Sequence, residues 1–593
     1  MSPKSSTDEL IDRARKTRGR GLPALLLAGL TSVLLWLSFP PVDYGPLAWI
    51  ALVPLLQVAR VPEAVNWQSL LLWLGGAVFW VSILQWMRLG DFWMYPAWLA
   101  HAFYLACYVP LFVWLTQIAV QRFKTPLYVA APVCWVGLEY LRGYLFTGFS
   151  WYLLGHTQYR WVNLIQISDL CGGYLVSFVV VLSNAALAQF VPLKWLEALG
   201  MIRPAESEDA VPPDLSRLRW LGVVLSFAAV GLSVGYGVLR REQVPFETGP
   251  RIALIQGNFP ATTRALTPED YEETYRMYDA LTGRSVKHQP NVIVWPEAMF
   301  RWPLLEVDPS LTDEQLSAMH LNPRQWRGTE TRDALEQMAG KANAALIIGI
   351  PAASARPGQI DSYNSAVFVL PGKGLNGRYD KIHLVPFGEY IPLMEYLPFL
   401  GSLIPYGSNG GMVAGEKAHV FEYEQWRFIP LICFEDTVPH LVRSMVAAGS
   451  ERGSHVDVLV NMSNDGWFHG SSEHDQHLIT ASFRCIETRV PMVRAANMGI
   501  SAIIDGDGVV REPEVFLDHD AEYHEGAARD SMRDPVTGKY YRQLNAAIVS
   551  TVPLDPRNSL YVATGDWFGA ICLTFCLAIL LQAVWYRRFA AKP

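Results

Sequence analysis

Three short stretches in the second half of the chain close β-forming runs with ionisable or nucleophilic side chains. The first is Trp295-Pro296-Glu297. The second runs from Arg378 through Lys381 and His383 to Glu389 and Tyr390. The third is Leu431-Ile432-Cys433-Phe434-Glu435-Asp436. Together they offer a carboxylate, an ammonium and a thiol. A carboxylate can take a thiol proton, a thiolate can attack an acyl carbon, and an ammonium can steady the oxyanion that forms. Each residue also has a plainer reading. A strand-terminal Cys433 can be a small buried hydrophobe, Glu297 a solvated carboxylate and Lys381 a surface charge.

Cys433 and Cys485 are the only cysteines between residues 240 and 566. Outside the cytoplasm two such thiols pair, stay buried and inert, or are kept free for a purpose. The residue types alone leave all three open. Cys485 lies in a predicted helix and reads as buried.

The elements that must hold these groups are of two kinds. Of 593 residues, 51% are hydrophobic and only 17% charged, mean hydropathy is +0.16, and there are 21 Trp. A soluble protein carries about 25% charged residues. The balance of 48 basic to 55 acidic residues excludes a nucleic-acid binder driven by charge. Seven cysteines make no disulfide framework. The charge deficit is local: residues 21–193 hold eleven Asp, Glu, Lys or Arg. Uncharged runs at 21–42, 44–59, 64–87, 92–121, 125–138, 170–193, 220–239 and 567–586 predict eight membrane spans, seven before a long polar stretch and one after it. A span needs about 20 apolar residues. The runs at 44–59 and 125–138 are short, and the second can continue through Glu139.

Basic residues set the orientation. Lys4, Arg13, Arg15, Lys16, Arg18 and Arg20 precede the first span, which reads as an uncleaved anchor. Arg122 and Lys124, then Lys194, Arg203, Arg217 and Arg219, occupy two connections, and Arg587, Arg588 and Lys592 follow the last span. With the N-terminus in the cytoplasm all of them fall inside. The predicted organisation is a cytoplasmic tail 1–21, a seven-helix transmembrane domain 22–240, an outside domain 250–555, a final span 567–586 and a cytoplasmic tail 587–593. The aromatic, nearly uncharged loop 142–162 then lies on the outer side, as a belt anchor or the lipid-facing rim of a site. Glu139 and Arg142, three apart, share a helix face as an ion pair or a functional intramembrane pair.

Residues 250–555 change character. Apolar runs at 251–257, 291–295, 345–350, 365–370, 427–433, 457–461, 492–495 and 501–505 predict strands, and 268–281, 330–343 and 473–489 predict helices. Their alternation indicates an α/β domain with buried sheets.

The stretches WPE, YDK-x-HLVPFGEY and ICFED resemble those of the nitrilase, or carbon–nitrogen hydrolase, superfamily. The helices in front and behind, with NMSNDGWF at 461–468, QHL at 476–478, RAANMGISAIID at 494–505 and GDW at 565–567, are similar to the apolipoprotein N-acyltransferase family. The resemblance implies a multi-span α-helical membrane domain plus an α/β nitrilase-like αββα sandwich. It implies Cys433 as nucleophile, Glu297 as general base and Lys381 as the cation by the oxyanion. Glu389, Phe434 and Glu435 match supporting positions. Two departures stand out. Phe434 stands where the family often has Tyr, and no Trp follows Gln256-Gly257-Asn258. Stretches 302–330 and 512–545 read as surface insertions.

The implied reaction is ping-pong acyl transfer from a membrane phospholipid, through a Cys433 thioester, to the N-terminal α-amine of a diacylated apolipoprotein. It needs no cofactor, metal or nucleic acid. The implied location is the bacterial inner membrane, with the catalytic domain on the periplasmic side. The aromatic loop 142–162 and the glycine-rich stretch 401–415 are the expected lipid entrance and lid. The rivals are a membrane-tethered amidase that hydrolyses a small C–N substrate and a transporter or scaffold with a degenerate soluble domain.

Overall fold

The computed structural model describes residues 21–589 except 62–63, 93, 203–212, 263, 265, 392–393, 395, 397–410, 451–454 and 521–528. The basic residues from Lys4 to Arg20, Arg203 and Lys592, residues 401–410 of the glycine-rich stretch and 521–528 of the second insertion therefore lie outside the described residues. The chain divides into two units: 1–88, 92–242 and 564–593 form one, and 89–91 with 243–563 the other.

Uncharged runs become helices in the first unit. They are α1 (Leu22–Ser38), α2 (Gln68–Ile83), α3 (Met94–Ala106), α4 (Tyr108–Gln121), α5 (Leu127–Arg142), α6 (Gly173–Ala188), α7 (Pro213–Glu242) and a C-terminal helix Trp567–Phe589. Among the described residues, three stretches are long and apolar enough to cross a membrane: Met94–Gln121, which joins α3 to α4, Arg219–Glu242 and Trp567–Trp585. Leu22–Ser38, Gly45–Arg60, Gln68–Ile83, Val162–Cys171 and Gly173–Ala188 are apolar but shorter. The run at 44–59 is broken into a 3-10 turn Gly45–Leu47 and short helices Ala48–Ala51 and Val53–Arg60. Pro46 and Pro54 start new turns there, since proline suits a first turn and not an interior. Helices α1 and α2 meet on small residues. A Cβ on Gly75 would sit 2.4 Å from the Ala28 Cβ, and Ser32 donates to the Gly75 carbonyl at 2.8 Å.

The aromatic loop differs from expectation. Ser150 to Gln158 is buried, with Trp151 at 2% and Tyr152 at 4% exposure, so this part is neither an interfacial belt nor a rim. The reason is polar pairing inside the bundle. Arg142 donates to the Trp151 carbonyl at 3.0 Å, Glu139 accepts from the Leu154 N–H at 2.8 Å, and Trp86 donates to the Tyr152 hydroxyl at 2.9 Å. Non-helical backbone is stable among helices when its groups are satisfied this way. Only the flanks, such as Phe146 and Trp161, are exposed. Glu139 and Arg142 are themselves buried and line a partly open apolar cavity of about 60 Å³, walled by Leu35, Phe79, Phe112 and Tyr152.

In the second unit, alternation of side chains along each strand builds the layers. Ile252 and Leu254 of β1 (Glu247–Gln256) face one core, and Ala253 and Ile255 face the other. The remaining strands of that sheet are β2 (Val292–Trp295), β3 (Leu304–Val307), β4 (Ala345–Arg356), β5 (Gln359–Leu370), β6 (Gly374–Asp380), β13 (Val515–Asp518) and β14 (Ala546–Leu554). Their order is β13-β14-β1-β2-β4-β5-β6, with β3 beside β4. The second sheet holds β7 (Phe421–Tyr423), β8 (Trp426–Ile432), β9 (Val458–Ser463), β10 (Met492–Ala496), β11 (Ala502–Ile504) and β12 (Val510–Arg511), in the order β12-β11-β10-β9-β8-β7.

One core joins the sheets, through Leu254, Val294 and Phe368 on one side and Phe428, Leu459 and Val493 on the other. Helices α8 (Pro268–Val286) and α9 (Glu330–Ala342) cover the outer face of the first sheet through Tyr278, Leu281 and Leu335. Helices α10 (Pro439–Gly449) and α11 (Glu473–Thr488) pack with the second through Val442, Met445 and Leu478. The result is four layers, helix–sheet–sheet–helix, and the unit has a nitrilase-like α/β fold. Helix α10 and strands β3, β7 and β12 to β14 go beyond the elements predicted from sequence. The first insertion folds as β3 and two short helices over a small core of Leu311, Leu316 and Ala355.

Candidate active site

Strand ends deliver the reactive groups. Glu297 follows β2, Lys381 follows β6, and Cys433 follows β8. β2 and β6 belong to the first sheet and β8 to the second, so the set straddles the inter-sheet core. Cys433 opens a 3-10 turn, Cys433–Thr437, with φ of 51°, a left-handed backbone that is costly for any residue but glycine. Both Cys433 and Cys485 are free thiols; Cys485 is fully buried on α11.

Lys381 is only 1% exposed, and its Nζ donates to Glu389 Oε1 at 2.8 Å and lies 3.6 Å from Glu297 Oε1. Asn364 of β5 bridges the carboxylates, its Nδ2 donating to Glu297 at 2.7 Å and to Glu389 at 2.9 Å. The Asn464 N–H donates to Glu297 Oε2 at 3.0 Å, and the Val385 N–H to Glu389 Oε2 at 2.8 Å. The charges of Glu297 and Lys381 both act on the Cys433 sulfur.

The electrostatics follow from this count of one ammonium and two carboxylates. Burial alone would discharge Lys381, but Glu389 and Glu297 outweigh it and hold the ammonium well above the ordinary lysine range. Burial pushes the Glu297 carboxyl up, against the pull of Lys381. Burial disfavours charge on Glu389 too, but Lys381 and the donors from Val385 and Asn364 hold it below the usual carboxylate range. The two carboxylates are thus driven apart: Glu389 stays paired with the lysine, and Glu297 is the one able to exchange a proton. Burial pushes the Cys433 thiol well up, and Glu297 adds to the rise, so the resting sulfur keeps its proton.

Glu435 has another task. Its Oε1 accepts from Tyr379 at 2.7 Å and from the N–H groups of Ile382 at 2.8 Å and His383 at 3.1 Å. Its Oε2 accepts from the Ile432 N–H at 2.7 Å. It locks the Cys433 turn to the segment that carries Lys381. The Phe434 ring stacks on His383 with centroids 5.8 Å apart. Of the glycine-rich stretch, Met412 donates to the Glu389 carbonyl at 2.8 Å and Gly415 to the Lys381 carbonyl at 2.8 Å, so its described end is tied to the site's backbone.

Sequence reasoning missed Asn364 and a sealed cluster made of Asp436, Asp465, Glu473, His477 and Arg494. Asn364 gave one signal, a polar residue in the β-forming run DSYNSA. The cluster gave another, since all its members but Glu473 fall within ICFED, NMSNDGW, QHL and RAANMG. Asp465, Glu473 and His477 have the types and spacing to bind a metal. A cation is already there: Arg494 Nη2 lies 2.6 Å from Asp465 Oδ2 and 2.7 Å from His477 Nδ1.

Residues 31–186 match the apolipoprotein N-acyltransferase N-terminal domain, and residues 251–513 match the carbon-nitrogen hydrolase domain. A relative from Geobacter metallireducens, an apolipoprotein N-acyltransferase, is 33% identical over 82% of this chain and 86% of its own length. A second of that name, from Rhodopirellula baltica, is 31% identical over 94% of this chain and 97% of its own. Among solved structures, an amidase from Nesterenkonia sp. is 15% identical with a TM-score of 0.34, covering 54% of this chain and 95% of its own. The chain belongs to the apolipoprotein N-acyltransferase family and is an enzyme of the carbon–nitrogen hydrolase superfamily.

Proposed function

We propose that this protein is a multi-span membrane enzyme that transfers a fatty acyl chain from a phospholipid, through a thioester on Cys433, to the α-amine of diacylglyceryl-cysteine at the N-terminus of an apolipoprotein. The observation that carries the reading is the Glu297–Lys381–Glu389 set beside Cys433, in a chain 33% identical to an apolipoprotein N-acyltransferase.

The chemistry runs in two halves. Glu297 takes the Cys433 proton as sulfur attacks the ester carbonyl. The Lys381 ammonium meets the oxyanion; one such donor contributes roughly 2.7–4 kcal/mol. Collapse expels the lysophospholipid alkoxide, which takes the proton from Glu297. The neutral α-amine then attacks the thioester carbonyl and gives its proton to Glu297. The second collapse releases the amide, and the departing Cys433 sulfur recovers the proton. Glu389 keeps Lys381 charged throughout, so the lysine never competes as a base.

Lipid substrates explain the helical unit. Extracting a chain costs about 0.8 kcal/mol per CH₂, which a membrane-held enzyme avoids. In this reading residues 22–240 form seven spans and 567–586 the eighth, and residues 250–555 face the periplasm from the bacterial inner membrane. The 17 residues of α1 rise about 25 Å, close to the hydrocarbon thickness of about 30 Å. Leu26 and Leu30 on α1, Phe227 and Leu232 on α7, and Phe575 and Leu581 near the C-terminus are half or more exposed, which suits a lipid surround. The walls of the cavity by Glu139 and Arg142 are apolar, which suits contact with hydrocarbon. The amidase alternative has only the distant fold likeness in its favour.

The test is intact-mass measurement after incubation with phospholipid in detergent micelles. The expected result is a fatty-acyl adduct on Cys433, absent in Cys433→Ser and discharged by a diacylated lipopeptide amine. No adduct on the wild-type protein would reject the reading.

A further inference from the structure

Three stretches of the catalytic unit, QGN at 256–258, NMSNDGW at 461–467 and RAANMG at 494–499, meet at one fully buried amide, Asn497. It follows β10, and every polar group of its side chain and backbone is engaged. Its Oδ1 accepts from the Phe259 N–H at 2.9 Å and from the Tyr278 hydroxyl of α8 at 3.0 Å. Its Nδ2 donates to the Phe259 carbonyl at 2.5 Å and to Asn464 Oδ1 at 3.0 Å. Its carbonyl accepts from the Asn258 N–H at 3.0 Å, and its own N–H donates to the Ser463 carbonyl at 2.9 Å.

Ser463 and Asn464 share one peptide unit. A trans peptide is planar, with its C=O and N–H pointing opposite ways. Asn497 fastens the carbonyl of that unit and the Asn464 side chain, and the N–H on the far side donates to Glu297 Oε2 at 3.0 Å. The contact crosses between the sheets. Glu297 follows β2 of the first sheet, whereas Asn464 follows β9, the neighbour of the β8 strand that ends at Cys433.

We propose that Asn497 is a positioning residue for Glu297, holding the Ser463–Asn464 peptide so that its N–H meets the carboxylate and sets the base against the sheet that carries Cys433.

The Glu297 carboxylate accepts from Asn364 Nδ2 on Oε1 and from the Asn464 N–H on Oε2. Both bonds favour its charged, proton-accepting form. The charged and titratable groups around it are Lys381 after β6, Glu389 beside that lysine and Cys433 after β8. Asn464 and Asn497 carry no charge, so replacing them changes the hold on Glu297 and leaves the charge count as it is. The inference rests on Glu297 being the base for Cys433, but not on the identity of the acyl donor or acceptor.

The test is the pH dependence of Cys433 alkylation by iodoacetamide on the full chain in detergent, read by peptide mass, because Cys107 is exposed and also reacts. In the wild-type protein the rate is expected to fall on the acid side as Glu297 takes up a proton, and Glu297→Gln to abolish that limb. Asn464→Ala removes the side-chain acceptor and keeps the backbone N–H; Asn497→Ala removes the amide that grips it. Each is expected to move the midpoint of the limb up by about half to one pH unit, as for a hydrogen bond to a charged group that is weakened and not lost. The double variant is expected to move it no further than Asn497→Ala alone, since both act on one contact. A purely structural amide would lower the melting temperature and leave the midpoint in place. An unmoved midpoint in either folded variant overturns the proposal, as does full additivity or a wild-type profile with no acid limb. Should Asn497→Ala fail to fold, Asn464→Ala alone decides. A shifted limb without any fatty-acyl adduct would reject the acyltransferase reading and leave this inference standing.

Discussion

Two charged clusters meet at Cys433, and they are built on opposite terms. The Lys381 cluster carries two carboxylates for one ammonium, and Glu297 and Glu389 are each 12% exposed. The Arg494 cluster is closed: Arg494, His477, Asp436 and Asp465 are 2% exposed or less. Buried charges are tolerated when each has partners, and taking one partner away is severe, about 3–5 kcal/mol. The difference teaches a division of labour. In the proposed chemistry the Lys381 cluster passes protons, and it has a surplus carboxylate and partial access to solvent. A cluster sealed from solvent has no such access and is suited to holding geometry.

The comparison can be broken or sharpened by substitution. The largest effect is expected from Cys433→Ser, with single-turnover acylation falling on the order of 10⁶-fold, as removal of a nucleophile does elsewhere. Lys381→Met is expected to slow acylation by about 10²–10³-fold. It also leaves two carboxylates with no ammonium, so the melting temperature should fall sharply in the same sample. An Arg494 variant that lost activity more than Lys381→Met would invert the assignment of roles.

Effects of pH come next. The raised carboxyl of Glu297 places an acid limb on the rate, because its protonated form is no base; about tenfold is lost for each pH unit below its pKa. Stability has its own dependence. Glu389, held below its unfolded value, stabilises the fold at neutral pH, and that contribution is lost as pH falls through its folded pKa. Lys381, held above its unfolded value, contributes fully up to the ordinary lysine range, so loss is expected at the acid end and not at pH 9. Thermal melts from pH 7 to pH 3 check the sign. Asn364→Leu, which strips one bridge from both carboxylates, is expected to cost about 1–3 kcal/mol in denaturant unfolding. The smallest change is Phe434→Tyr, whose ring stacks on His383; within about 0.5 kcal/mol in rate and stability is expected.

Glu297, Lys381 and Cys433 were readable because each sits in a short stretch whose residue types announce chemistry. Asn364 was not, since one amide in a strand says nothing until the fold sets it between two carboxylates. The Arg494 cluster was split among four stretches, and each charge alone reads as a solvated one. Burial of Trp151 and Tyr152 was hidden for another reason: aromatic composition is the same in a membrane belt and in a core, and only Arg142, Glu139 and Trp86 decide between them. Helix α10 was missed because PHLVRSMVAAG starts with proline and lacks charge periodicity, yet proline suits a first turn.

Strands β1 and β14 lie side by side and antiparallel, Glu247 opposite Leu554. The polypeptide therefore enters and leaves the αββα body at neighbouring points. Insertions whose ends meet are the kind most easily gained, lost or exchanged. A hydrolase-like module spliced into a bundle of helices would need only such a doorway. A bundle with residues 243–563 replaced by a short glycine-rich bridge is a reasonable object to build, and its folding would trace how the two halves came to share one gene.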